Sequence, residues 1–207
     1  MTLPDIESLK RLSQSIAMLD AIISQEWESR YFSFNSKWSG GEMMASMRTG
    51  TGDEYFILFK KDGAILKGFD HESEINLKSA DSNKSVVFKN VPSEFATFLT
   101  EPAFSIQDTT FLMWRRSTDP DWTVISKSDD CQLEFQSLLF ILDGKPSTYK
   151  EFAEDYYREE IALKTVKQIY NHQPLTDKMI HSLNPKISLV DLAEDIEEIA
   201  YPALSTR

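Results

Sequence analysis

The chain has 207 residues, with 33 acidic against 22 basic side chains and a formal net charge of -11. A field of that sign repels nucleic acid and anionic membrane and attracts basic surfaces. Hydrophobic residues make up 41% of the chain and aromatic ones 12%, which excludes a disordered acidic tail and is enough to fill a core.

The longest apolar stretches, such as Ser137 to Leu142, are far shorter than the roughly 20 residues of a membrane helix. Met1 to Asp5 lacks a basic segment, and Asp5, Glu7, Lys10 and Arg11 interrupt any apolar run, so a signal peptide is not expected. Cys131 is the single cysteine; it rules out an intrachain disulfide and fits a reducing compartment, hence a cytoplasmic expectation. From Lys150 to Arg207 seven basic and eleven acidic residues give -4, leaving -7 for the part before. Both parts are acidic, so the field spreads over a folded surface.

Ile6, Leu9, Leu12, Ile16, Leu19 and Ile23 recur at three- and four-residue intervals and predict an amphipathic helix from Pro4 to Trp27, with Glu7, Lys10, Arg11 and Gln14 largely opposite. The expected role of this helix is to cover a sheet. Its polar face lacks the Lys/Arg surplus of an interfacial membrane helix. Strands follow at Arg30 to Asn35, Glu54 to Phe59 and Ala64 to Phe69, the last two joined by Lys60-Lys61-Asp62-Gly63, whose Asp-Gly pair signals a hairpin. Six of the seven glycines lie between Gly40 and Gly68, where the tight turns of an antiparallel meander are needed. Val86 to Phe88 reads as a short strand and Pro92 to Thr100 as a short helix. Two more strands, Thr110 to Arg115 and Trp122 to Ile125, flank the turn residues Asp119-Pro120-Asp121.

Beyond Ser128 the pattern becomes helical. Leu133 to Asp143 is closed by Gly144; Ser147 or Thr148 caps a helix with Tyr149, Phe152, Ala153, Tyr156 and Tyr157 inward; Ile161 to Tyr170 follows. Thr176 and Ser188 read as N-caps of two shorter helices, the second ending before Tyr201-Pro202. No repeat of 20–50 residues is visible. The expected class is α+β: an N-terminal helix and antiparallel sheet over residues 1–128, and a helical region over 129–207 packed on it as one compact domain.

The densest group of possible metal ligands is Asp70, His71, Glu72 and Glu74. In an extended segment the three carboxylates share one face and His71 points away, so the segment reads more simply as a polar loop after a strand. His172 and His181 are separated by Pro174, which denies them a shared helix and the close spacing of zinc ligands. Cys131 follows Asp129 and Asp130, which oppose thiolate formation, and no Gly-x-Ser-x-Gly elbow exists. Gly50 to Glu54 leads into a strand and places two carboxylates where a phosphate would sit. No catalytic residue, metal or cofactor is assigned.

Two carboxylate-rich helical faces remain: Glu154, Asp155, Glu159 and Glu160, and Glu194, Asp195, Glu197 and Glu198. Such faces are ordinarily solvated; as a site they suit a basic partner, steered by charge. Trp27, Tyr31, Phe32, Phe34 and Trp38 cluster at the first helix–strand junction, and Met43, Met44 and Met47 beside Trp38 form an adaptable apolar patch. Core packing explains these aromatics; an exposed one, with Trp38 as the candidate, would be an interface anchor.

The tail Leu175-Thr176-Asp177, Leu183-Asn184-Pro185 and Glu194 to Pro202 resembles the tails of uncharacterised bacterial proteins, which implies a bacterial accessory protein and brings no activity with it. The expectation is therefore an acidic cytoplasmic module, immunity-type or regulatory, that occludes a basic protein surface. A carboxylate- or divalent-metal-dependent enzyme built near Asp70, Glu72 and Glu74, and a homodimer built on the Met/Trp patch, are the alternatives.

Overall fold

The computed structural model describes residues 3–73, 88–126 and 132–204. In chain order these form α1 (Ile6–Ile23), β1 (Phe32–Ser39), β2 (Glu42–Arg48), β3 (Glu54–Lys60), β4 (Gly63–Phe69), α2 (Ala96–Thr100), β5 (Phe111–Arg116), β6 (Thr123–Ser126), α3 (Gln132–Leu139), α4 (Pro146–Tyr157), α5 (Leu163–Tyr170), α6 (Asp177–His181) and α7 (Ala193–Ile199). The class is α+β. The six strands lie side by side in chain order, each antiparallel to the next. Among the described residues no helix is long and apolar enough to cross a membrane.

Both faces of the sheet are covered. On one face Phe32, Phe34, Ala45, Met47, Tyr55, Ile57, Leu66 and Met113 join α1 and the C-terminal helices in a single apolar cluster. On the other, Met44, Phe56, Leu58, Ile65, Leu112 and Trp114 meet Val91, Phe95, Phe98 and Phe104 from α2 and its flanking turns. This double burial explains why β3 is a nearly continuous apolar run rather than an alternating one. It also hides β2. Met43, Met44 and Met47 alternate between the two covered faces, so the strand carries no polar-apolar alternation and was not expected. Close packing fixes two glycines. A Cβ on Gly68 would lie 2.2 Å from the Phe111 ring, and one on Gly63, at the β3–β4 hairpin, 2.3 Å from the Arg115 carbonyl oxygen.

Several element ends differ from expectation. Asp5, extended in backbone, caps α1 by accepting the Ser8 N–H, which leaves Pro4 outside; the helix ends at Ile23 and Trp27 falls in a separate 3₁₀ turn, Trp27–Ser29. Lys145 precedes α4, with Pro146 in its first turn, so Ser147 and Thr148 are inside the helix and the Thr148 hydroxyl donates to Asp143 instead. Ser188 binds Asp191 in the loop before α7 and Leu192 occupies the N-cap position. Thr176 does cap α6, through the Met179 N–H. Val86 and Val87 lie outside the described residues, as do Cys131 and Glu74; Phe88 is in a helical turn.

The α1 helix is buried nearly all round, not amphipathic over its second half. Gln14, placed on its polar face by spacing, is buried and donates to the Ile199 carbonyl; Ser15 donates to the Ile169 carbonyl. Asp20, fully buried, accepts the backbone N–H of Tyr31 (2.9 Å) and Phe32 (2.8 Å) and the Tyr149 hydroxyl (2.7 Å). One carboxylate therefore joins α1, the start of β1 and α4. Across the sheet, Lys67 is likewise fully buried, with its ammonium on Glu54 and on the Ser105 and Asp108 carbonyls. Three acceptors satisfy its three donors, and burial holds its pKa below the usual lysine range.

Burial pushes the Asp20 carboxyl up from 3.8 to about 6, against its hydrogen bonds, which favour the charged form. The folded state thus binds this proton more tightly than the unfolded chain does. The associated stability is fully present below pH 3.8 and is lost as pH rises to about 6, a difference of about 3 kcal/mol. Asp20→Asn keeps the shape without the charge. Its stability relative to the unsubstituted protein, followed by denaturant titration, should increase by about that amount between pH 4 and pH 7. A difference that stays flat with pH would show that Asp20 does not titrate in this way.

Candidate functional site

The acidic faces expected to meet a partner are largely engaged inside the molecule. Helix α7 lies along the edge strand β1. There Asp195 takes the Arg30 guanidinium on both oxygens, Glu197 pairs with Lys37 (2.6 Å) and Glu198 accepts from Asn35 (3.1 Å). Partial burial, with Asp195 nearby, raises the Glu198 pKa, whereas Lys37 lowers that of Glu197. On α4, Glu154 binds Lys150 and the Ile161 N–H, closing the α4–α5 connection, and Asp155 pairs with Arg158 in the open. Glu159, Glu160 and Glu194 are exposed and have no partner among the described residues.

Trp38 is half-buried. Its ring stacks on Phe104 at 5.5 Å over the second apolar cluster. Met44 and Met47 are interior, so the Met/Trp patch does not form an open surface. The exposed aromatics are Trp27, 59% accessible, and Tyr156, 43% accessible, although the spacing on α4 placed Tyr156 inward.

These two rings line one cleft of about 290 Å³, together with Glu28, Arg30, Tyr31, Ser46 and Arg48 of β2 and Thr49 and Gly50 after it. The turn bearing Trp27 is fixed from both sides. Gln25 donates to the Ala21 carbonyl at the end of α1, Arg30 Nε donates to the Ser24 carbonyl, and Asp20 holds the next two N–H groups. Beneath it the Tyr31 ring meets Tyr156 edge-on at 5.0 Å and Phe152 at 4.8 Å, and Tyr156 stacks on Phe152 at 5.6 Å. Aromatic packing thus runs unbroken from the cleft floor into the core. Arg30 is neutralised by Asp195, and the Arg48 guanidinium lies over the Phe56 ring on the other sheet face. Glu26 and Glu28, on either side of Trp27, are exposed with no side-chain partner among the described residues.

Chemically the cleft is suited to holding rather than reacting. Its described lining contains no histidine or cysteine, and burial with nearby Asp53 pushes the Tyr31 phenol up to about 12, so it stays neutral. Of the expected metal ligands, Glu72 is largely exposed, 3.9 Å from His71 Nε2, its N–H donates to Asp70, and Glu74 lies outside the described residues. Asp53, which sequence spacing did not suggest, joins Asp70 and His71 with ligand atoms within 4.8 Å of one another. His71 already bonds Asp53 through Nδ1 (2.7 Å) and its N–H (3.0 Å), and the cluster is open to water. These bonds tie the β2–β3 loop to the chain leaving β4.

No family model matches the chain, and neither does any curated protein or solved structure.

The two neighbouring carboxylates of α7 should behave differently. Asp195→Ala leaves Arg30 half-buried without its partner and should lower stability by about 2 kcal/mol. Glu194→Ala, on exposed surface, should stay within roughly 0.5 kcal/mol of the unsubstituted protein in urea unfolding. Equal losses would mean that α7 does not sit on β1 through this pair.

Proposed function

We propose that this chain is an acidic cytoplasmic binding module that occludes a basic surface of another protein, in the manner of an immunity-type or regulatory partner. The observation that carries this reading is Trp27: a largely exposed indole on a clamped turn, set between the unpartnered carboxylates of Glu26 and Glu28 and sharing a cleft with Tyr156. Large aromatics held rigid before binding supply contact area at little entropic cost, and a surrounding charged rim steers the approach of an oppositely charged partner. Glu159 and Glu160 follow Tyr156 by three and four residues and are exposed without a partner among the described residues. The net charge of -11 supports the same partner class and disfavours nucleic acid. The single cysteine supports the compartment.

The surface differs from the one the carboxylate pattern alone suggests. Asp195, Glu197, Glu198 and Glu154 are engaged in the fold, so this reading rests on Glu26 and Glu28, on either side of Trp27.

Affinity capture at low salt with the wild-type chain and with a Trp27→Ala/Tyr156→Ala variant tests this. A basic protein should be retained by the first and lost by the second, each anchor contributing about 2 kcal/mol. Its association rate should fall steeply with salt. The same proteins on both baits, or a salt-independent association rate, would refute the proposal.

A further inference from the structure

Clefts on this surface differ in the charge of their walls. The cleft beside the first turn of α1, about 530 Å³, has Lys10, Lys60, Lys61 and Arg115 in its lining. Asp5 and Glu7 line it too, Lys10 is bound to Glu7 at 2.6 Å, and Lys60 to Glu42 at 2.8 Å. Two of its four cations are thus paired, and its lining carries both signs of charge.

A second cleft, about 510 Å³, lies between α5 and α6 and reaches Leu204. Its described lining holds Lys164 and Lys178 and no acidic side chain. Both lysines are exposed, and neither ammonium has a partner among the described residues. Asp177, next to Lys178, is engaged by the Leu189 N–H at 2.8 Å. In a chain with eleven more acidic than basic residues, a wall with two free cations and no carboxylate favours an anion over a cation.

The neutral lining adds donors. Ser182 donates its hydroxyl to the Met179 carbonyl, so the Thr165 hydroxyl donates to Ser182. Thr176 Oγ1 accepts the Met179 N–H, which leaves its own O–H to donate. Gln168 Nε2 donates to Gln173 Oε1, which leaves the Gln173 amide N–H groups for a ligand. Two ammoniums, an amide and a hydroxyl thus border one space whose apolar part is Met179, Pro174 and Leu204, the last 56% accessible. Such a mixture of a few polar donors and an apolar wall is how small-molecule clefts fix orientation.

We propose that this cleft binds a small organic anion, an oxyanion group on a short apolar body. Lys164 and Lys178 take the charge, Gln173 and Thr176 donate to the remaining oxygens, and the apolar body lies on Met179, Pro174 and Leu204. The site is separate from the Trp27 cleft and stands or falls independently of it.

Hexanoate, hexyl phosphate and hexanol, titrated at constant ionic strength by calorimetry and by melting temperature, test this. Saturable binding of either anion, with a rise in melting temperature, is expected; hexanol should give neither. Binding of hexanoate alone identifies a carboxylate site, and of hexyl phosphate alone a phosphoester site. Lys164→Gln and Lys178→Gln should each weaken binding about tenfold, and Lys10→Gln, in the other cleft, should leave it unchanged. Both lysines are exposed, so the ligand-free melting temperatures of these variants should match the wild type. No saturable binding of either anion up to about 10 mM would overturn the proposal. So would binding that survives in the double lysine variant, or that hexanol reproduces.

Discussion

Asp20 stands in the last turn of a helix buried on almost every side, and the rest of the molecule is arranged around the donors it requires. A buried carboxylate without hydrogen bonds is strongly unfavourable. Here it receives the first two N–H groups of the β1 segment and a tyrosine hydroxyl from α4. Those bonds set where the chain turns after α1, and therefore where the Trp27 turn stands. They also bring α4 close enough for Phe152 and Tyr156 to reach Tyr31. The exposed aromatic cleft is thus the outer end of an arrangement whose inner end is a single charged group.

Charge follows a comparable division between inside and outside. The acids of α7 hold that helix on the edge strand β1, where unpaired backbone groups would otherwise be open to another chain. Lys67 and Glu54 pin the segment after α2 to the opposite face of the sheet. Among the unpaired charges, Glu26 and Glu28 flank Trp27, and Lys164 and Lys178 line the cleft beside Met179. The first arrangement underlies the proposed protein partner and the second the proposed small anion.

Much of the fold was legible in sequence. Alternating aromatics marked β1, the Asp62-Gly63 pair marked the β3–β4 hairpin, and Gly144 and Thr176 marked helix ends, because each of these signals is local. The features that escaped depend on what packs across a distance. β2 was missed because sheet faces covered on both sides remove the alternation that reveals a strand. Trp38 and Trp27 are eleven residues apart and chemically identical; the Phe104 turn, from far along the chain, covers part of the first and leaves the second exposed. The α7 carboxylates looked free because Lys37 and Asn35 approach from β1 and Arg30 from the turn before it. Asp20 did leave a trace: it is the sole charged residue between Leu12 and Ile23, a position that only a buried, hydrogen-bonded acid explains.

Amide hydrogen exchange at Tyr31 and Phe32 tests the central claim most directly. If the Asp20 carboxylate fixes the junction between α1 and β1, these two amides should exchange above pH 6 only through global unfolding, as slowly as Ile57 in the middle of β3. Exchange about a hundredfold faster than Ile57 would mean the junction opens on its own. The cleft would then have no rigid floor.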